Sequence, residues 1–196
     1  MERVSIEFGN VEVLDVEGRP HRLREAWAAR ACALVFVRHF GCVLCRQQVA
    51  QLQPHIREIR QAGGDLVVVG TGGPPFARAF QKDLGILDVE VYIDSDRRSY
   101  DLAGFRRGIS ALIHPRAIWN YLRAFFAGHK YKGMQGDALQ QGGVLVIAID
   151  GTVVLRFMSK VSGDHPEVEL VIAAVREASR SMGIVNSGGR YESGGL

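Results

Sequence analysis

Cysteine is scarce in this chain, with three in 196 residues. That is too few for a disulfide-stapled secreted scaffold. Long apolar runs are missing as well. The longest, ACALVFV at 31–37, falls far short of the roughly 20 residues that a membrane-spanning helix needs. The opening MERVSIEFGNVEVLD carries Glu2, Arg3 and Glu7 and lacks the apolar core of a secretory leader. These absences point to a soluble protein of a reducing compartment, with the cytoplasm as the expected location. There, a close cysteine pair leans toward metal binding or catalysis rather than a permanent staple.

What is present suits one globular domain: 47% of the residues are hydrophobic and 23% charged. The alternating VEVLDVEGRPHRL (11–23) reads as a β-hairpin around Glu17-Gly18. ALVFVRHF (33–40) reads as a buried strand. Val49, Leu52, Ile56 and Ile59 then recur at helical spacing, and Gly63-Gly64 stops that helix. DLVVVG (65–70) and VEVYID (89–94) read as further strands, each followed by a helix. GVLVIAID (143–150) and TVVLRFM (152–158) flank an Asp-Gly turn, a strong hairpin signal. A last helix is expected over 166–182.

The order is hairpin, β-α-β-α-β-α, insertion, β-β-α. This predicts an α/β protein of thioredoxin-like arrangement: one domain over 1–185, an insertion at about 104–141, and a flexible Gly/Ser-rich tail at 186–196. The formal net charge is only +3, yet residues 97–132 hold eight Lys/Arg against Asp101 alone. Within that basic insertion, Ile118, Leu122, Phe125 and Phe126 mark one apolar helix face, with Arg116 and Arg123 among them. A helix packed over the core as a lid is expected, and an anionic or fatty ligand beneath it is the alternative. Nucleic acid is not expected, because no recognition motif accompanies the charge, and a membrane surface is disfavoured.

Cys42 and Cys45 stand in HFGCVLCRQQ, between the first core strand and its helix. Zinc needs four ligands and this pair supplies two. Cys32 lies about 30 Å away along an extended chain, and the six histidines (21, 39, 55, 114, 129, 165) form no ligand pair. Two buried structural thiols are a second reading. Redox chemistry is the third, and it has positive support. A sulfur at the first turn of a helix meets free backbone N–H groups and the positive dipole end, which lower a thiol pKa from near 8.5. Arg38, His39 and Arg46 add positive potential, and Gly41 allows a tight turn before the first sulfur. Only the thiolate attacks a peroxide or disulfide, and a second thiol three residues away can capture the product.

HFGCVLCRQQ, QGDALQQGGVLVI (135–147) and SGDHP (162–166) together resemble the AhpC/TSA-type peroxiredoxin-like family. Within it they are similar to the branch that contains prostamide/prostaglandin F synthase and selenoprotein L. The resemblance covers about 11–182. It implies a peroxiredoxin-like thioredoxin fold and a thiol-dependent oxidoreductase that reduces a peroxide or endoperoxide through the Cys42/Cys45 pair. It implies no cofactor and no metal, an external thiol reductant such as thioredoxin, and a second copy as a compatible partner. The chain departs from the family at two points. Cys42 stands where peroxiredoxins carry threonine, so their pattern makes Cys45 the attacking sulfur, whereas the thioredoxin pattern makes it Cys42. Gly142-Gly143 stand where peroxiredoxins carry an arginine and thioredoxins a cis-proline. A disulfide reductase with little peroxidase activity, or a redox sensor on the same fold, therefore remains open.

Three further pieces are expected at the carboxyl ends of the parallel strands, beside the pair. They are the TGGPP loop (71–75), Gln140–Gly143, and Lys160–His165. Gly142 and Gly143 would let a substrate backbone approach, or simply make the turn. His165 would serve as an acid or base, or begin the last helix with Asp164 and Pro166.

Overall fold

The computed structural model of the protein describes residues 2–105, 139–160 and 163–185. Strands and helices are numbered in chain order. The central strand, β3 (Ala31–Phe36), pairs parallel with β4 (Gly64–Gly70) and antiparallel with β6 (Gly143–Ile147). Outward on one side, β4 pairs parallel with β5 (Glu90–Ile93). On the other, β7 (Val153–Met158) pairs antiparallel with β6. The hairpin of β1 (Glu12–Leu14) and β2 (Pro20–Arg22) joins β5 through a single bridge, Leu14 to Ile93. The sheet thus runs β2-β1-β5-β4-β3-β6-β7.

Every residue of β3 is buried, as a strand covered on both faces requires. The two-residue period sorts its side chains into two layers. Ala31, Ala33 and Val35 face a layer built by α2 (Val43–Leu52), α3 (Ile56–Gln61), α4 (Pro74–Asp83) and the C-terminal α6 (Val168–Val185). Cys32, Leu34 and Phe36 face an aromatic layer with Phe8, on α1 (Ile6–Gly9), and Trp27. Tyr100, on α5 (Arg98–Leu102), and Phe105 complete that layer. Phe36 is its hub: its ring meets Tyr100 edge-on at 5.0 Å and Phe105 at 4.8 Å.

The α/β reading, both hairpins and the three parallel strands are as the sequence led one to expect. Three boundaries differ for physical reasons. The strand expected over 33–40 is Ala31–Phe36. β6 begins at Gly143, opposite Phe36, and after the Val37 N–H bonds to the Val69 carbonyl the chain leaves the ladder. The helix expected through Val49–Ile59 is two helices with a 3₁₀ turn, Gln53–His55, between them. Pro54, which has no N–H to donate, sits in that turn. The final helix starts at Val168, so Pro166 precedes it rather than occupying its first turn. Residues 106–138 of the expected basic insertion and the expected tail, 186–196, lie outside the described residues. Among the described residues, no helix is long and apolar enough to cross a membrane.

Gly143 is fixed by this packing. A Cβ there would fall against the Phe157 carbonyl oxygen and within 2.6 Å of the Phe105 ring. Gly143→Ala should therefore destabilise the fold by about 1–3 kcal/mol, as overpacking of a filled core does, and a urea titration measures it.

Candidate active site

Between Phe36 and Val43 the chain passes from sheet to helix, and its carbonyls find partners one by one. The Val37 carbonyl accepts the Tyr100 hydroxyl at 2.6 Å, and the Arg38 carbonyl accepts the Thr71 hydroxyl at 2.7 Å. The His39 carbonyl accepts the Cys42 N–H at 3.1 Å, and the Phe40 carbonyl accepts the Arg46 guanidinium at 3.4 Å. Phe40 itself packs edge-on against Phe80 and lies where a Cβ on Gly70 would fall, so Gly70 is what lets the turn sit close to β4.

This turn delivers Cys42 to the N-cap of α2, in an extended conformation. Serine, threonine and aspartate usually cap helices because their side-chain oxygen accepts a free N–H of the first turn. Here sulfur does so: Cys42 Sγ accepts the Cys45 N–H at 3.4 Å. Cys45 Sγ accepts the Arg38 N–H at 3.3 Å. The thiols are free and close together, with Cys42 2% and Cys45 9% exposed.

Burial alone would raise both thiols, so the donors decide. The Cys45 thiol donates to Cys42, and the Arg38 charge and the N–H groups of Cys45 and Leu44 add to it. Against burial they bring Cys42 down to about 6. Burial pushes Cys45 well above the usual thiol range, helped by the neighbouring Cys42 sulfur, and Arg38 only partly offsets this. These directions favour the proton on Cys45 and the negative charge on Cys42. Cys32 lies across the sheet in the aromatic layer, and burial pushes its thiol up.

The cation beside this charge is Arg38. It is buried, and its Nε donates to the Gln140 carbonyl at 2.9 Å, with the Gln141 side-chain oxygen at 3.5 Å from its Nη2. Arg46, expected to serve the same purpose, turns away. It pairs with Asp83 at 2.9 Å and lies 5.5 Å over the Phe80 ring, tying α2 to α4. His39 is buried and gives the pair its carbonyl. Gly41 does not adopt a left-handed backbone, so the turn does not need glycine for that reason.

A small cavity of about 20 Å³ opens at Cys45, walled by Arg38, Gln48, Gly142, Ser159 and His165. It is about the size of one water molecule. Gln48 is buried, and its side-chain nitrogen has no hydrogen-bond partner among the described residues. The loop after β7 folds over the cavity. Ser159 N–H donates to the Gly142 carbonyl, Ser159 Oγ to the Asp164 carbonyl, and Lys160 N–H to the Asp164 carboxylate. Of the three pieces expected beside the pair, each contributes: Thr71 by its hydroxyl, Gly142 and His165 by lining the cavity. Residues 161 and 162 lie outside the described residues. Gly142 and Gly143 are both required by internal packing, since a Cβ on Gly142 would fall against the Phe36 carbonyl oxygen.

Tyr100 and Gln48 were not recognised as site residues from sequence, whereas Thr71, Gln140 and Gln141 lie in two of the segments expected beside the pair. Thr71 ends a parallel strand, a position that points to the site. Tyr100 lies 55 residues after Cys45, in an ordinary short helix, and carries no such signal. Among the described residues no group of three or more His, Cys, Asp or Glu is arranged to hold a metal ion. A larger cavity, about 380 Å³, lies at the hairpin edge of the sheet, where His21 sits between Asp15 and Glu25, away from the thiols.

Solved structures share this architecture. The peroxidoxin BcpB from Mycobacterium tuberculosis superposes with a TM-score of 0.65 at 16% identity, over 90% of this chain and 98% of that one. A bacterioferritin comigratory protein from Xanthomonas campestris, whose structure is described in terms of alkyl peroxide reduction, gives 0.64 at 14% identity, over 91% and 98%. The fold is therefore the thioredoxin fold in its peroxiredoxin-like form.

The family described as AhpC/TSA antioxidant enzyme matches residues 51–161, a span that begins past the cysteine pair. A prostamide/prostaglandin F synthase from Bos taurus is 35% identical over 82% of this chain and 81% of its own length. A chloroplastic thioredoxin-like protein, AAED1, from Arabidopsis thaliana is 31% identical over 84% and 69%. The chain belongs to the AhpC/TSA family.

The charge on Cys42 gives a direct test. The rate of iodoacetamide alkylation of the reduced protein should rise with pH through a midpoint of about 6, because only the thiolate reacts. Arg38→Met removes the buried cation and should move that midpoint upward by about one unit.

Proposed function

We propose that the protein is a thiol-dependent oxidoreductase that reduces a peroxide or endoperoxide through a dithiol/disulfide cycle of Cys42 and Cys45. The observation that carries this reading is the geometry at the α2 N-cap: two free thiols close together, with Cys42 Sγ accepting the Cys45 N–H and Cys45 Sγ accepting the Arg38 N–H. The Cys45 thiol, the Arg38 charge and backbone donors lower Cys42. Family membership supports it.

The chemistry balances with the groups present. The Cys42 thiolate attacks one oxygen of the O–O bond, forming S–O while O–O breaks. The leaving oxygen takes a proton and departs as an alcohol or water, and Cys42 becomes a sulfenic acid. Cys45 then attacks Cys42 sulfur, expelling water and forming the disulfide. Two electrons have passed to the peroxide. An external dithiol such as thioredoxin returns them, so the cycle calls for no cofactor. Arg38, Gln48 and His165, which wall the cavity at Cys45, would donate to the peroxide oxygens. With an endoperoxide the same two electrons yield two hydroxyls on one molecule. A cytoplasmic location, a peroxide-class substrate, a thioredoxin-type partner and a homodimer all fit this reading.

One observation favours a second assignment within it: the cavity opens at Cys45, the more exposed sulfur. Passing the shared proton to Cys42 would make Cys45 the attacking thiolate, as the peroxiredoxin pattern has it.

The deciding experiment treats reduced Cys42→Ser and Cys45→Ser proteins with hydroperoxide and locates sulfenic acid by mass spectrometry. Turnover with thioredoxin is followed alongside. Cys45→Ser should accumulate sulfenic acid on Cys42. Cys42→Ser should lose at least about 10³-fold in kcat/KM, as removal of a nucleophile does. Sulfenic acid on Cys45 in the Cys42→Ser protein would establish the second assignment. Rapid exchange with disulfides but no reaction with peroxide would make the protein a reductase. Stoichiometric oxidation without recycling would make it a sensor.

A further inference from the structure

Tyr100 lies on the opposite side of the sheet from the thiols. Its side chain is wholly buried in the aromatic layer, against Phe36 and Phe105. Its hydroxyl nevertheless reaches the end of β3, where the ladder stops, and donates to the Val37 carbonyl at 2.6 Å, with the Val69 carbonyl also at 3.0 Å. The Val37 carbonyl and the Arg38 N–H belong to one peptide group, which is planar and trans, so the two point in opposite directions. On its far side that N–H donates to Cys45 Sγ at 3.3 Å. The result is an unbroken line through the sheet: Tyr100 O–H to Val37 carbonyl, Arg38 N–H to Cys45 sulfur, Cys45 S–H to Cys42 sulfur.

From this line we propose that Tyr100 is a positioning residue for the thiol pair. It acts through the Val37–Arg38 peptide, whose N–H it aims and polarises toward Cys45, and so favours the reduced, thiolate-bearing form over the disulfide. Hydrogen bonds in series polarise one another where the surroundings are apolar, and every member of this line is buried. A disulfide sulfur is a weaker acceptor than a thiol or thiolate, so the N–H stabilises the reduced pair more than the oxidised one. Burial and the nearby Asp94 and Cys45 push the Tyr100 hydroxyl well above the usual phenol range, which keeps it a donor. Its ring is aimed from below: Asp94 accepts the Ser99 N–H at 2.8 Å and the Arg98 N–H at 3.3 Å, capping the start of α5. Among the described residues, the charged and titratable groups facing the line are Arg38, Asp94, Cys42 and Cys45, and none of them need change for Tyr100 to act.

The inference rests on Cys42 and Cys45 being the reactive pair, but not on peroxide being the substrate. Its test therefore uses no substrate. In Tyr100→Phe the ring stays and only the donor is lost. Two quantities are read on this variant and the wild type: the pH midpoint of iodoacetamide alkylation, and the dithiol–disulfide equilibrium against glutathione. In that equilibrium the pair and one glutathione disulfide give the protein disulfide and two glutathione thiols, with two electrons transferred.

The midpoint should rise by about 0.5–1 unit, the worth of one lost hydrogen bond. The equilibrium should move about three- to tenfold toward the protein disulfide, or ~15–30 mV more reducing. Phe105→Leu loosens the packing beside the Tyr100 ring but removes no donor or acceptor of the line, so it should lower stability and leave both quantities unchanged.

A folded Tyr100→Phe protein with wild-type midpoint and potential overturns the proposal. So does an equal shift in Phe105→Leu. Should Tyr100→Phe not fold, replacing tyrosine by 3-fluorotyrosine makes the hydroxyl a stronger donor and should lower the midpoint; no change there overturns it equally. A wild-type protein that forms no Cys42–Cys45 disulfide at all would sink the reading of the pair itself, a separate failure.

Discussion

From Val37 to Cys42 the backbone has left the sheet and not yet entered the helix, yet it is buried. Each of its polar groups must find a partner without a ladder or a helix to supply one, because an orphaned buried peptide group costs about 1–3 kcal/mol. The protein answers with side chains from distant elements: the hydroxyls of Tyr100 and Thr71 and the guanidinium of Arg46 take the carbonyls. Once the carbonyls are tied outward, the N–H groups of Arg38 and of the first turn of α2 point at sulfur. The chemistry of the pair follows from how the backbone is satisfied.

Charge obeys the same economy. Arg38 is buried, and its hydrogen bonds to the Gln140 carbonyl and the Gln141 side chain hold it beside the pair. A fixed positive charge favours the ionised form of a neighbouring thiol, and Arg38 is one of the causes that lower Cys42. Arg46, one residue past Cys45, has its charge already met by Asp83 and serves to fasten α2 to α4.

Much of this was legible in the sequence. The alternation over 11–23, the apolar run of β3, the Asp-Gly turn before β7 and the βαβ order led to the fold, and the strand-to-helix position of CxxC led to the site. The errors lie where tertiary partners outvote local pattern. Val37–Phe40 has the composition of a strand, but β6 begins only at Gly143, opposite Phe36, and after Val37 bonds to Val69 the chain leaves the ladder. Arg46 neighbours the sulfurs in sequence, yet a helix sends adjacent residues about 100° apart. For Gly142 and Gly143, read either as room for a substrate backbone or as a plain turn, neighbouring backbone and a ring fill the space a Cβ would take. Tyr100 was invisible because a hydroxyl that crosses the sheet to a carbonyl 63 residues away leaves no periodic trace.

The Arg38–Gln140 hydrogen bond spans 102 residues, and that span bears on how the protein comes into being. As the chain is synthesised, Cys42 and Cys45 emerge long before residue 140. A nascent chain or a proteolytic fragment ending before β6 therefore lacks the Gln140 carbonyl that helps to hold the Arg38 charge beside Cys42. Contacts of such long separation form late in folding. Part of the acidity of this pair is thus supplied by the last strands to be made, so full reactivity arrives with the completed sheet.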